Sequence, residues 1–306
     1  MKKDLRIVYM GTPEFACAGL EILIKNNYNI VGVITAPDKK SGRGQKITPS
    51  PVKETALEHE LNILQPTNLK DPEFIEELKS LNANLQIVVA FRMLPEMVWN
   101  MPEIGTFNLH ASLLPQYRGA APINWALING ETQTGVTTFF LKHEIDTGDI
   151  LFQDEVTILP DENVGGLYNK LMNIGSETIL KTVKAIEEDN YKQIPQQHSS
   201  DLKAAPKIFK DTCKIDWNQS AQTIFNFIRG LSPYPVAWTE VKEKTCKIYE
   251  ATVTDTPSKG APGTIESDGK TFFHFNTADL QLKITRLQLQ GKKQLPIEDF
   301  LRGYQL

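Results

Sequence analysis

The chain has 306 residues, of which 41% are apolar and 23% charged, with 33 Lys plus Arg against 37 Asp plus Glu for a net charge of −4. This length suits two domains that can each bury a core, and the composition is that of ordinary globular proteins, which sets aside general disorder. No run reaches the ~20 apolar residues of a membrane-spanning helix, and the mild acidity neither supports nor excludes an RNA partner, so local charge clusters must decide.

The first residues mix Lys2, Lys3 and Asp4 and meet Gly11-Thr12-Pro13 after a few apolar positions. Residues 5–10 therefore read as a buried strand and not as a signal peptide. Residues 13–26 follow with Phe15, Leu20, Leu23 and Ile24 at roughly helical spacing. Further strands are expected at 30–35, 85–91, 105–110 and 135–141, each short, β-branched or aromatic, and bounded by turn residues. The unbroken apolar run Ile87-Val88-Val89-Ala90-Phe91 is what a parallel strand covered on both faces requires. Ser50-Pro51 and Asp71-Pro72 each place a capping side chain before a proline at the first helical position. A long helix over 164–188 closes the series. Alternation of this kind predicts an α/β fold with a doubly wound, mostly parallel, Rossmann-like sheet.

Residues 1–189 thus form a first domain, and 190–207, polar with Pro195, Pro206, paired glutamines and paired serines, read as a linker. In 208–306 a helix over 220–229 precedes short strands at 236–241, 246–253, 263–265, 271–275 and 280–289. Close-set strands with Gly, Asp and Pro turns predict a small antiparallel β-barrel of the OB-like kind. Cys17, Cys213 and Cys246 are scattered, without C-x-x-C spacing, which fits a reducing, cytoplasmic setting and argues against structural zinc.

Ligands of doubly wound sheets bind beyond the carboxyl ends of the strands. Asn108 and His110 close the 105–110 strand on one face, because side chains alternate along a strand. An amide and an imidazole so placed can both bond one substrate oxygen. Spacing alone leaves His110 open between that role and a core histidine bonded to a nearby carbonyl. Asp146, in the turn-forming run Glu144-Ile145-Asp146-Thr147-Gly148-Asp149, can orient an imidazolium if the fold brings it to His110; a plain Asx turn explains the same residues. The loop Asp38-Lys39-Lys40-Ser41-Gly42-Arg43-Gly44-Gln45-Lys46 is basic and glycine-bearing, suited to phosphate contact or to simple solvation. A second basic stretch, 283–293, holds Lys283, Arg286, Lys292 and Lys293 and no acid. Gly11-Thr12-Pro13 lacks the further glycines of a dinucleotide fingerprint, which disfavours a nicotinamide enzyme. Cys17 sits on the buried face of the first helix and reads as packing.

These runs together resemble the folate-dependent formyltransferases, nearly end to end. The likeness is carried by Met10-Gly11-Thr12-Pro13-Glu14-Phe15, Thr48-Pro49-Ser50-Pro51-Val52-Lys53, Asn108-Leu109-His110-Ala111-Ser112-Leu113-Leu114-Pro115, Tyr117-Arg118-Gly119-Ala120-Ala121-Pro122-Ile123 and Asp146-Thr147-Gly148-Asp149. Ile215-Asp216-Trp217, Ala261-Pro262-Gly263-Thr264-Ile265 and Gly291-Lys292-Lys293 continue it in the second half. The basic loop and the attached barrel narrow it to the branch that acts on methionyl-tRNA. By that resemblance Asn108, His110 and Asp146 form a catalytic trio, and Ser112, Leu113, Leu114 and Pro115 line the folate site. The donor is 10-formyltetrahydrofolate, used without a metal, and the acceptor is the α-amino group of methionine on initiator tRNA. Lys39, Lys40, Arg43 and Lys46 are then expected at the acceptor stem and Arg286, Lys292 and Lys293 at the tRNA body, in a cytoplasmic monomer away from any membrane. Departures from the family pattern fall at Phe91-Arg92-Met93, at Ile145 and at Asn124-Trp125. The rival readings are a formyltransferase for a small amine or amino-sugar nucleotide, and a non-catalytic RNA-binding protein.

Overall fold

The computed structural model describes residues 2–41, 46–197 and 200–303. It divides into two compact units that are not contiguous in sequence. The first comprises Met1–Arg118, Gly135–Val156 and Asn169–Ala204; the second comprises Gly119–Thr134, Thr157–Tyr168 and Ala205–Leu306.

The first unit is built on a seven-stranded sheet. Across it run Ile150–Thr157, Gln133–Phe140, Gly105–His110, Leu85–Val89, Arg6–Gly11, Asn29–Ile34 and Ile63–Leu64. The five strands from Gly105–His110 to Ile63–Leu64 are parallel, and Gln133–Phe140 joins antiparallel to Gly105–His110. The mostly parallel α/β sheet expected from sequence is therefore present. Its central strands are apolar throughout because both faces are covered: every residue of Leu85–Val89 is buried. The two proline-led helices start where their caps require. Ser50 Oγ accepts from Lys53 N ahead of Pro51–Glu58, and the Asp71 carboxylate accepts from Glu73 N ahead of Pro72–Ser80. Gly11 explains its own motif by packing, since a Cβ there would lie 2.5 Å from the Ala16 Cβ and 3.1 Å from the Val89 carbonyl oxygen.

The strands Ile63–Leu64 and Ile150–Thr157 go beyond the sequence reading, and so does a hairpin. Lys39–Ser41 and Lys46–Thr48 pair as a short antiparallel hairpin, with Lys40 opposite Ile47 and Ser41 opposite Lys46. At its base Lys53 donates to the Asp38 carboxylate at 2.7 Å and Gln65 Nε2 donates to it at 2.8 Å. Those bonds, the lysine's first, hold the Asp38 carboxyl below the usual carboxylate range.

The second unit centres on a six-stranded antiparallel sheet, with pairings in the open order Ala237–Val241, Lys244–Pro257, Leu280–Leu289, Phe273–Asn276, Ile265–Ser267, and Leu295–Pro296 added to Leu280–Leu289. The small barrel expected from sequence takes this form among the described residues. Helix Ala221–Leu231 is capped by Ser220, whose side chain accepts from Thr223 N, and it buries Ile224, Ile228 and Leu231. The core is aromatic: Trp217 stacks on Phe275 with centroids 4.1 Å apart, and the indole N–H is satisfied by Thr239 Oγ1 at 2.9 Å. Arg229 is buried and donates to Asn226 Oδ1 and to the carbonyls of Leu159 and Glu162. Helix Pro122–Ile128 is tied to the same helix by the Asn124 amide, which donates to the Gly230 carbonyl at 2.8 Å.

Candidate active site

At the carboxyl end of Gly105–His110, the alternation of the strand puts Asn108 and His110 on one face, as expected. His110 is 6% exposed. Its Nε2 lies 2.8 Å from the carbonyl oxygen of Tyr117, and its Nδ1 lies 3.8 Å from Asp146 Oδ2. A backbone carbonyl only accepts, so Nε2 carries hydrogen. Nδ1 is therefore the nitrogen at which the ring can gain or lose a proton, and the carboxylate of Asp146 faces it. Of the two sequence readings of His110, the bond to a nearby carbonyl is present, and the ring also faces an acid.

Asp146 reaches this position through an unusual turn. Its φ is +55°, in the left-handed region. Around it Thr147 Oγ1 donates to the Glu144 carbonyl at 3.0 Å, and Lys142 pairs with Asp149 at 2.7 Å. Gly148 permits the return of the chain, since a Cβ there would collide with the carbonyl oxygen of Phe140. The side chain of Asp146 is 11% exposed.

Asn108 supplies a further observation. Its Oδ1 is buried without a hydrogen-bond partner. An unpaired buried amide oxygen costs about 1–3 kcal/mol, and such atoms mark places where a ligand or water completes the bonding. The site's residues thus fit a polar ligand.

The loop after the strand is fixed by Thr137, which pairs with His110 across the sheet. Its hydroxyl donates to the Ser112 carbonyl at 2.6 Å and accepts from Leu114 N and from Gln153 Nε2. Ser112 is fully buried and donates to the Gln116 carbonyl; Leu114 packs with Phe139 and Ile150. Leu113 and Pro115 keep partial exposure. Of the four positions expected to line a folate site, these two are thus the ones with side-chain surface to offer.

Gln196, in the polar stretch read as a linker, is 9% exposed. Its Nε2 donates to the carbonyls of Asp146 (2.9 Å) and Gly148 (2.8 Å), and its Oε1 accepts from Arg118 Nε and Nη2 at 3.1 and 2.6 Å. Sequence reasoning singles out neither Thr137 nor Gln196. A cleft of about 520 Å³ also borders the Asp146 turn, lined in part by Trp99, Leu141, His143, Thr147 and Gln196.

The expected RNA-contact residues fall elsewhere. Lys39 is exposed in the hairpin, the backbones of Lys40 and Lys46 lie in its two strands, and Arg43 lies outside the described residues. In the second unit Lys283, Lys292 and Lys293 are exposed, and Arg286 is paired with Glu250 at 3.0 Å. Leu282 and Ile284 point inward on that strand, and so do Leu287 and Leu289, a change of phase that matches the register shifts beside Glu250. At the departures from the family pattern, Arg92 donates to the carbonyls of Thr67 and Pro66.

Comparison with known proteins places the chain in a family. Residues 5–183 match the family model described as formyl transferase, and residues 207–305 match that described as the formyl transferase C-terminal domain. A methionyl-tRNA formyltransferase of Bacteroides fragilis is 55% identical, covering 100% of this chain and 97% of that protein. One from Flavobacterium johnsoniae is 55% identical over 98% of this chain and 96% of its own. Among solved structures, WlaRD, a sugar 3N-formyl transferase, superposes with a TM-score of 0.69 at 20% identity over 95% of this chain and 100% of its own. HypX from Aquifex aeolicus, in complex with tetrahydrofolic acid, gives a TM-score of 0.63 at 19% identity over 98% of this chain; the chain spans about half of HypX, 48% of its length. At these identities the solved structures bear on the fold alone.

Proposed function

The chain belongs to the methionyl-tRNA formyltransferase family, and from that membership we infer that it transfers a formyl group to the α-amino group of methionine on initiator tRNA, giving the formylmethionyl-tRNA that starts translation. The donor in this reading is 10-formyltetrahydrofolate, which supplies a formyl group already activated for attack, and no metal takes part. The protein acts as a monomer in the cytoplasm, where charged tRNA is found.

The observation that carries the chemistry is the meeting of His110 and Asp146 beside Asn108 at one strand end. In acyl transfer to an amine, charge develops on the carbonyl oxygen, and preorganised donors there lower the barrier. The Asn108 amide is one such donor. His110, with Nε2 held by Tyr117, offers the proton on Nδ1 as the second when the ring is charged. Asp146 holds that imidazolium and, through water, helps remove the proton that the attacking amine loses. Leu113 and Pro115, with the buried Ser112 and Leu114 shaping their loop, support the folate.

For the acceptor, Lys39, Lys40, Arg43 and Lys46 reach the acceptor stem, and Arg286, Lys292 and Lys293 hold the tRNA body. Mobile positive charge is what phosphate contacts require. The deciding experiment supplies 10-formyltetrahydrofolate with initiator and elongator methionyl-tRNA in parallel. Formylmethionine from the initiator form supports the reading. Transfer to neither, with folate still bound, overturns the acceptor and leaves the small-amine alternative.

A further inference from the structure

We propose that Gln196 is a positioning residue for the formyl-transfer site, clamping the Asp146 turn so that the acid faces His110; this rests on the catalytic reading given above. The observation is a closed ring of contacts. His110 Nε2 bonds the Tyr117 carbonyl; the next residue, Arg118, bonds Gln196 Oε1 through two nitrogens; Gln196 Nε2 bonds the carbonyls of Asp146 and Gly148; and Asp146 Oδ2 returns to His110 Nδ1. One amide side chain thus joins the two segments that flank the imidazole.

The chemistry of the glutamine suits this task. Its NH₂ has two hydrogens and meets two carbonyls; its oxygen accepts a guanidinium, which has only donors. Every polar atom of the side chain is used, and the residue is buried, so the amide has a single orientation: reversed, it would aim NH₂ at the guanidinium and oxygen at two carbonyls. Restraint of this turn matters, because its Asp146 sits at φ +55°, in the sparsely populated left-handed region. The segment carrying Gln196 is itself anchored, by paired backbone bonds between Ile194 and Ile150 and by Lys203, whose N–H is accepted by Gln116 Oε1 and whose carbonyl accepts from Tyr117 N. Residues 194–197 and 200–203 of the polar stretch therefore act as a strap on the Asp146 turn.

Loss of this clamp misplaces Asp146. Gln196→Ala is expected to lower kcat about 10- to 100-fold, the range for an ångström-scale displacement, with KM for folate and for methionyl-tRNA within about threefold of wild type. Gln196→Glu separates clamping from anchoring. The carboxylate keeps Arg118 but cannot donate to two carbonyls, so it holds the strap and frees the turn. Its kcat stays as low as that of Gln196→Ala, and the carboxylate oxygen set against two carbonyls lowers its Tm as well. Backbone hydrogen exchange over residues 144–149 rises in both variants. Wild-type kcat in either variant overturns the proposal, and so does unchanged exchange in that turn, a readout that needs no substrate. Failure of wild-type protein to formylate methionyl-tRNA is a different result and counts against the function instead.

Discussion

The Nε2 of His110 and the carbonyl oxygen of Tyr117 lie 2.8 Å apart, which assigns hydrogen to that nitrogen and leaves Nδ1 to face Asp146 at 3.8 Å. That second separation exceeds an ordinary hydrogen bond. A substrate oxygen or a water can therefore meet Nδ1 without first breaking a strong contact, while the acid stays close enough to stabilise a charged ring. Each member of the site then has its own measurable consequence.

Asn108→Ala should lower kcat by about 10² to 10³, the usual cost of one oxyanion donor. It should not lower Tm, because the wild-type amide leaves Oδ1 buried and unpaired. A thermal melt beside steady-state kinetics checks both; a large fall in Tm would show that the amide is structural.

Gly148→Ala places a Cβ against the Phe140 carbonyl oxygen, so the turn must move. Overpacking of this kind costs about 1–3 kcal/mol, and the displaced neighbour is Asp146. Reduced Tm together with reduced kcat is expected, and wild-type values of both would contradict the described turn.

Asp268 tests the second unit by pH. Its carboxylate accepts from the Thr271 hydroxyl and from the backbone N–H groups of Thr271, Lys270 and Phe272, which holds its pKa well below the ordinary 3.8. A depressed folded-state pKa gives stability that is present above 3.8 and lost as pH falls from there through the depressed value. The Tm gap between wild type and Asp268→Ala should hold from neutral pH down to that point and close below it. A gap that widens in acid would contradict the sign.

Arg43→Ala should impair formylation of charged tRNA far more than folate binding. Lys292→Ala with Lys293→Ala should weaken tRNA binding and flatten its dependence on salt by about one unit of log–log slope for each phosphate no longer neutralised. Titrations at several salt concentrations measure this; equal weakening of folate and tRNA binding would remove the loop's assigned role.

Much of this architecture is legible in the residues. The strand Gly105–His110 ends where its turn residues end it, and Ser50 and Asp71 cap the helices that their prolines announce. Lys244–Pro257 runs longer than the 246–253 read from hydrophobicity, because pairing with Ala237–Val241 at its start and with Leu280–Leu289 at its end carries polar residues along. The helix Ile297–Gly303 escapes a sequence reading: with Ile297, Phe300 and Leu301 as its few buried anchors, it is too short to show a period. In the site, alternation alone pairs Asn108 with His110. Asp146 needs the family resemblance, since its partner is 36 residues away along the chain. Tyr117 acts through a carbonyl, which no residue type announces, and Gln196 is one amide among several in a polar stretch; only tertiary structure singles them out.

The central claim is that this imidazole and its two partners move the formyl group. Its most direct test is single-turnover transfer from 10-formyltetrahydrofolate to initiator methionyl-tRNA by His110→Ala, with tRNA affinity measured on the same preparation. Affinity close to wild type and transfer slowed by about 10² to 10⁴, the range for a missing acid–base group, are expected. Undiminished transfer in that variant would contradict the claim.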